Sequence, residues 1–376
     1  MCRLLLCCCL LLTCAAPARA RDYLRACWQQ QGQPLGNAYL VLRYQEEVNE
    51  LDHNQLPWQP TVYAGRGTVW LRAEDFRKQD TLTQVAKQRA YYSLTQRDAT
   101  TLLYRDYGDQ DLLPMTPTQH QDYLLRAARY APLGLLAYAR QHGVAPAAGP
   151  TALVHYRFAV GSTQVALAIR RADALLEEVS LLAPDDLLGD LRTTFRYLDY
   201  ARLGQLAYAR RVQVEKANGH VREQVTIRHA ATAATAPTLL TAPAGYQLRP
   251  TAEPTPSAKV VTYRPHLHWL ELPHTDDRVL VVEFKSFLVV AEAPLSSANG
   301  ELIIREARRL APGKPIRHFV AGHHHPHYLG GLRPFVAQGA TVLGQIAAGR
   351  GLSDEVRALY GGTGPMTPED DRVRED

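Results

Sequence analysis

Cysteine is the first absence that decides something. The chain of 376 residues has six, and Cys2, Cys7, Cys8, Cys9 and Cys14 all fall near its start, so only Cys27 lies beyond. A single cysteine builds neither an internal disulfide framework nor an intramolecular cysteine metal site. Beside Trp28 in a helix-like run, 22–31, Cys27 reads as packed and inert. Strong charge is also lacking: 42 Lys and Arg against 37 Asp and Glu give +5, with no basic run. No nucleic-acid partner is expected from that balance. Four motifs are missing as well: the G-x-S-x-G nucleophile elbow, the phosphate-binding G-x-x-x-x-G-K, H-E-x-x-H and G-x-G-x-x-G.

Apolar residues at 46% and charged residues at 21% are ordinary globular composition. At about 150 residues per domain the length allows two to three domains. Residues 1–20, MCRLLLCCCLLLTCAAPARA, place one Arg before an apolar run and end on Ala18-Arg19-Ala20, an A-x-A site. This pattern predicts a signal peptide and an extracytoplasmic protein, periplasmic or secreted. Leu11-Leu12-Thr13-Cys14 departs from a lipobox at Thr13, so lipoprotein anchoring is not expected. Removing Arg3 and Arg19 takes the charge from +5 to +3, and no transmembrane segment is expected in the mature chain.

The expected fold class is α+β, with residues 21–230 forming an antiparallel β-rich N-terminal domain with helices. Strands are predicted at 68–73, 90–94, 101–104, 152–160, 165–169, 175–182 and 193–200. The clearest hairpin joins 212–216 to 221–227 through Asn218-Gly219, which tolerate positive φ. A long helix is expected over 118–141, kinked or split at Pro132 and Gly134. Such a meander either packs on a helix or curls around a cavity. Residues 130–140 and 200–210 (YAPLGLLAYAR, YARLGQLAYAR) agree at nine of eleven positions, but their flanks differ, which argues against a repeat fold. The Ala/Thr/Pro-rich stretch 231–259 reads as a linker, and 361–376 as a disordered acidic tail.

Residues 260–360 carry the most specific pattern. Strands are expected at 265–272, 279–284, 287–292 and 316–321, with a tight hairpin at Lys285-Ser286 and a helix over 299–310. The last strand leads into Gly322-His323-His324-His325-Pro326-His327-Tyr328-Leu329-Gly330-Gly331. In an extended chain alternate side chains share a face, so His323, His325 and His327 converge while His324 points away. Pro326 biases His325 toward extended geometry. Three neutral imidazoles can hold a divalent metal, zinc first, and leave a position for water. The competing reading is a solvated His-rich loop. His266, His268 and His274 read as surface or packing residues, and Glu292 as a structural carboxylate.

This segment resembles the metallo-β-lactamase-fold hydrolases, whose signature T-H-x-H-x-D-H-x-G-G follows a buried strand. Gly330-Gly331-Leu332-Arg333 and Glu292-Ala293-Pro294 carry the likeness, most closely to secreted members. The resemblance implies a partial αββα domain, with His323 and His325 as metal ligands. His327 stands at the family's Asp, Tyr328 at its His and Gly322 at its Thr. It also implies downstream ligands that this chain lacks, hence a C-terminally shortened member without a two-metal site. The β-rich half resembles periplasmic lipoprotein carriers.

Two functions follow. The first is an exported metal-dependent hydrolase that, if active, acts on a small-molecule substrate through metal-bound hydroxide; the missing ligands argue against activity of this chain. The alternative is an extracytoplasmic ligand-binding protein with a vestigial metal half, and its distinguishing feature is an apolar-lined cavity between residues 60 and 230. A metal-sequestering His-tract protein is a third reading.

Overall fold

The computed structural model describes residues 22–51, 59–73, 75–97, 102–105, 111–114, 124–147, 152–186, 189–238, 245, 247–248, 255–344 and 373–375. The expected leader, much of the linker and most of the tail lie outside the described residues.

Fourteen strands form the first sheet. They are β1 (Tyr39–Glu50), β2 (Thr61–Arg72), β3 (Asp75–Gln84), β4 (Arg89–Arg97), β5 (Leu102–Arg105), β6 (Asp111–Pro114) and β7 (Pro146–Ala147). They continue as β8 (Leu153–Val160), β9 (Thr163–Arg170), β10 (Leu176–Asp185), β11 (Gly189–Leu203), β12 (Leu206–Lys216), β13 (Val221–Ala233) and β14 (Gln247–Leu248). The spatial order is β14-β6-β5-β4-β3-β2-β1-β13-β12-β11-β10-β9-β8-β7, antiparallel except where β14 meets β6. The long β1/β13 ladder joins two meanders, so strands distant in sequence become central neighbours.

One face of this sheet is apolar and covered. Along β1, Leu40, Leu42 and Tyr44 are buried while Arg43 and Gln45 are exposed, the period-two pattern of a half-buried strand. Helix α1 (Tyr23–Gln31) is capped by Asp22, whose Oδ1 accepts from Arg25 N at 3.0 Å. Helix α2 (Leu133–Gln141) buries Leu133, Leu135, Leu136 and Ala139 in the same core. Tyr156 Oη accepts from Leu24 N (3.1 Å), and Tyr197 Oη donates to Ala128 O (2.7 Å), pinning the helical layer to the sheet. Cys27 is fully buried there, and burial pushes its thiol up to about 12, so the reactive thiolate is suppressed.

Within the expected helix the described part is split. A helical turn ends at Tyr130, and α2 starts only after Pro132. Pro132 fits at a helix start because its missing N–H is not required there. The near-repeat takes two conformations. Residues 130–140 enter α2, whereas 200–210 form the β11/β12 hairpin, with Leu203 opposite Leu206 and Gly204 at φ +60°. Gln205 occupies that turn where its counterpart Leu135 is fully buried in the core. Context and two substitutions override nine identities.

The second sheet runs β15 (Lys259–Arg264), β16 (Leu267–Leu272), β17 (Asp277–Glu283), β18 (Leu288–Ala291), β19 (Ile316–Ala321), β20 (Thr341–Gly344) and β21 (Val373–Glu375). Pairing is antiparallel up to β18 and parallel beyond. Helix α3 (Ser297–Leu310) is capped by Ser296 and buries Leu302, Ile303, Ile304 and Ala307 on the sheet. Short helices α4 (Pro326–Leu329) and α5 (Leu332–Ala337) complete that layer.

The expected fold class needs correction. The chain is mostly β, dominated by the fourteen-stranded antiparallel sheet, and the expected αββα half is not formed among the described residues. β16 alternates half-buried and buried residues, so it has one covered face, and the single apolar cluster joins this sheet to α3, α4 and α5. An αββα sandwich requires a second sheet on the other face.

Candidate functional site

The first sheet carries a cavity of about 560 Å³ on its covered side. Its apolar part is lined by Val48, Leu82, Leu181, Ala183, Leu191 and Phe195. A volume of that size lies within the range of ordinary ligand pockets, roughly 300–1,000 Å³. A polar hollow of about 740 Å³ lies on the opposite face of the same strands, lined by side chains such as Gln45, Arg196, Gln213 and Gln224.

Ionised side chains form the cavity's other wall. Arg129 donates through Nε to Glu46 Oε2 (2.7 Å) and through Nη1 to Glu223, whose second oxygen meets Lys216 Nζ at 3.0 Å. Glu46 and Glu223 keep only 2% and 0% of their side-chain surface exposed. Burial alone would raise the Glu223 pKa, but Arg129 and Lys216 hold it below the usual carboxylate range. Next to this pair, Lys78 Nζ donates to Asp80 Oδ2 (2.6 Å), and Asp80 also takes bonds from Ser93 and Tyr44. Burial opposes the Lys78 ammonium, yet Tyr130, Asp80 and Glu46 keep its pKa above the ordinary lysine value. Burial pushes the phenols of Tyr44 and Tyr130 upward, so both stay neutral donors.

Glycines make room for this wall. Gly65 and Gly67 lie opposite Glu46 and Tyr44 in the β1/β2 register. A Cβ at Gly67 would lie 2.7 Å from Asp80 Cβ and 2.8 Å from Tyr44 Oη. The site therefore offers fixed, paired charges on one side and apolar side chains on the other. It can hold an amphiphile.

Sequence reasoning overlooked this wall because β1 and β3 were not expected as strands. The signal was present: Leu40, Leu42, Tyr44 and Glu46 alternate, which places Glu46 on the inward face.

The histidine segment folds differently from an extended chain. His325 caps α4, Pro326 opens it, and His327 sits in its single turn. His323, His324 and His325 instead come together, with possible ligand nitrogens all within 4.8 Å of one another. His324 thus joins the group that alternation would exclude, and His327 lines a separate hollow of about 250 Å³ with Asp277, Glu292 and Tyr328. The Glu292 pKa is raised, first by burial and then by Asp277. Burial, then the proximity of His325, lowers that of His323. Among the earlier histidines, His268 is buried against Thr262 (3.1 Å), His274 meets Asn299 Oδ1 (2.8 Å) and His266 lies by Glu283 (3.1 Å).

Gly330-Gly331-Leu332-Arg333 has a structural reason. Gly331 N donates to Ala293 O (2.9 Å), so its chain runs directly against the loop before α3. Arg333 Nη2 reaches Asp190 Oδ1 of the first sheet at 2.6 Å, and Ser297 N donates to Asp186 Oδ1 at 2.8 Å. These residues join packing elements.

No family model and no curated protein matches the chain. Among solved structures it is similar to a LolA superfamily protein from Nitrosomonas europaea, at 12% identity and a TM-score of 0.35, covering 55% of this chain and 90% of that one. A putative outer membrane lipoprotein-sorting protein domain from Vibrio parahaemolyticus gives 7% and 0.34, covering 52% and 86%. A DUF1329 family protein from Desulfovibrio piger gives 6% and 0.34, covering 55% and 89%. The expected metallo-β-lactamase-fold membership is corrected by the fold itself: a fourteen-stranded, almost wholly antiparallel sheet dominates the described residues, and the histidines do not take the expected arrangement. With it falls the reading of a shortened zinc hydrolase. That resemblance rested on local spacing, and in the fold Pro326 turns His327 away while the glycines serve backbone packing. Among the described residues no helix is long and apolar enough to cross a membrane.

Proposed function

We propose that this chain is an extracytoplasmic binding protein that holds the apolar part of a small amphiphilic ligand in the cavity of its large sheet. The observation that carries this reading is the two-sided cavity of about 560 Å³, with Leu82, Leu181 and Phe195 on one side and the Arg129, Glu46 and Glu223 group on the other. In this reading the first sheet, β1 to β14, is the binding unit, and the second sheet with its helices is a separate unit. The leader pattern in residues 1–20 supports export. Each methylene buried contributes about 0.8 kcal/mol, so lengthening a bound acyl chain by two carbons tightens binding by about tenfold until the cavity is filled.

A titration of the purified protein with dansyl-undecanoic acid, followed by fluorescence, tests this. Saturable one-to-one binding is expected, and Ala183→Trp, which places an indole in the cavity, weakens it by at least about tenfold without lowering the melting temperature. Non-saturable binding, or equal binding by a folded Ala183→Trp protein, would overturn the proposal.

A further inference from the structure

We propose that His323, His324 and His325 form a binding site for one divalent transition-metal ion of the imidazole-preferring class, independent of the ligand cavity. The juxtaposition is what carries it: three successive residues each offer one nitrogen, and all three nitrogens lie within 4.8 Å of one another. Adjacent side chains in a regular strand would diverge, so the local backbone has to bring them together.

That backbone is held at both ends. On the near side, β19 runs to Ala321 and is paired on both edges, with β18 and β20. On the far side, His325 O accepts from Tyr328 N (2.9 Å) and Leu329 N (3.1 Å), closing the turn of α4. Pro326 O accepts from Leu295 N (2.8 Å), fastening the same turn to the loop before α3. Within the cluster the ring centroids are 4.1 Å apart for His323 and His325, 4.4 Å for His323 and His324, and 4.7 Å for His324 and His325. His325 N donates to His323 Nδ1 at 3.3 Å, a long bond that a metal taking this nitrogen would replace.

Metal–imidazole bonds of about 2.0–2.1 Å place neighbouring ligand nitrogens roughly 3–3.5 Å apart. The three nitrogens, within 4.8 Å of one another, have to draw in to reach that spacing. Nitrogen-only donors select copper, nickel, cobalt, iron or zinc over magnesium and calcium, which require oxygen. A cap of three nitrogens on one side leaves the remaining coordination positions to solvent.

Calorimetric titration of the untagged full-length protein with Ni²⁺ and with Co²⁺ tests this site directly. The expected result is one saturable site, tighter for Ni²⁺ than for Co²⁺ and unaffected by millimolar Mg²⁺. His324→Ala weakens it at least tenfold, whereas His327→Ala leaves it unchanged. If His324→Ala melts early, His324→Gln carries the same comparison, and the visible absorption of the Co²⁺ form of the unmutated protein reports nitrogen ligation without any substitution. Absence of saturable binding, or a loss in His327→Ala equal to that in His324→Ala, would overturn the site.

Discussion

Replacing Arg129 by methionine is expected to lower the stability of the protein by about 3–5 kcal/mol at neutral pH, read as a shift in urea-denaturation midpoint. The variant keeps most of the side chain's volume but leaves Glu46 and Glu223 as buried carboxylates without their shared guanidinium. Lys216 still meets Glu223, so the loss falls most heavily on Glu46. The pH dependence carries a definite sign. The folded-state pKa of Glu223 is depressed, so its contribution is fully present above the ordinary glutamate value of about 4.3. It is lost as pH falls through the lower folded value. In Arg129→Met the first of the two cations that depress it is gone, Lys216 alone remains, and protonation relieves the buried charge. The gap between the unmutated protein and the variant therefore narrows as pH is lowered from 7 toward 4. A gap that is constant with pH, or a change below about 1 kcal/mol, would show that the pairs are solvated and that the cavity wall is not an ordered charge layer.

The second large effect is steric. Gly331→Ala is expected to cost about 3 kcal/mol, measured in the same way. Its φ of −94° is open to any residue, so backbone strain plays no part. A Cβ there would sit 2.7 Å from Ala293 Cβ, 2.9 Å from Gly300 N and 3.0 Å from Ser296 O. Two of these three are backbone atoms, and the hydrogen bond from Gly331 N to Ala293 O prevents the chain from backing away. A neutral substitution would mean that the loop before α3 yields, and that the glycine pair needs another explanation.

The same glycines show where sequence reading reached and where it stopped. Hairpins were legible from local pattern alone: 212–216 and 221–227 pair around Asn218-Gly219, and the apolar runs 279–284 and 287–292 around Lys285-Ser286. The helix at 299–310 was equally legible, with Ile303 and Ala307 on its buried face. What could not be read was long-range assembly. β1 and β3 mix charged with apolar residues because Glu46, Lys78 and Asp80 face inward as compensated charges: Lys78 and Asp80 pair within β3, and Glu46 is met by Arg129 far along the chain. An inward charge looks like a solvated one until its partner is known. Spacing also misled at the histidines. H-x-H suggests convergence of alternate residues only while the chain stays extended, and Pro326 starts a helical turn immediately after His325. The cavity expected of a ligand-binding protein was anticipated between residues 60 and 230; its lining extends to Glu46 and Val48 because β1 forms part of the wall.

Methyl-resolved NMR during titration with an unlabelled medium-chain fatty acid tests the central claim most directly, because it locates the ligand as well as detecting it. Saturable shifts are expected at the methyl groups of Leu82, Leu181 and Leu191, which line the cavity. Leu270, Val281 and Val290, in the core of the second sheet, are expected to stay in place. Shifts confined to the second sheet, or no saturable shift at all, would contradict the assignment of the large sheet as the binding element.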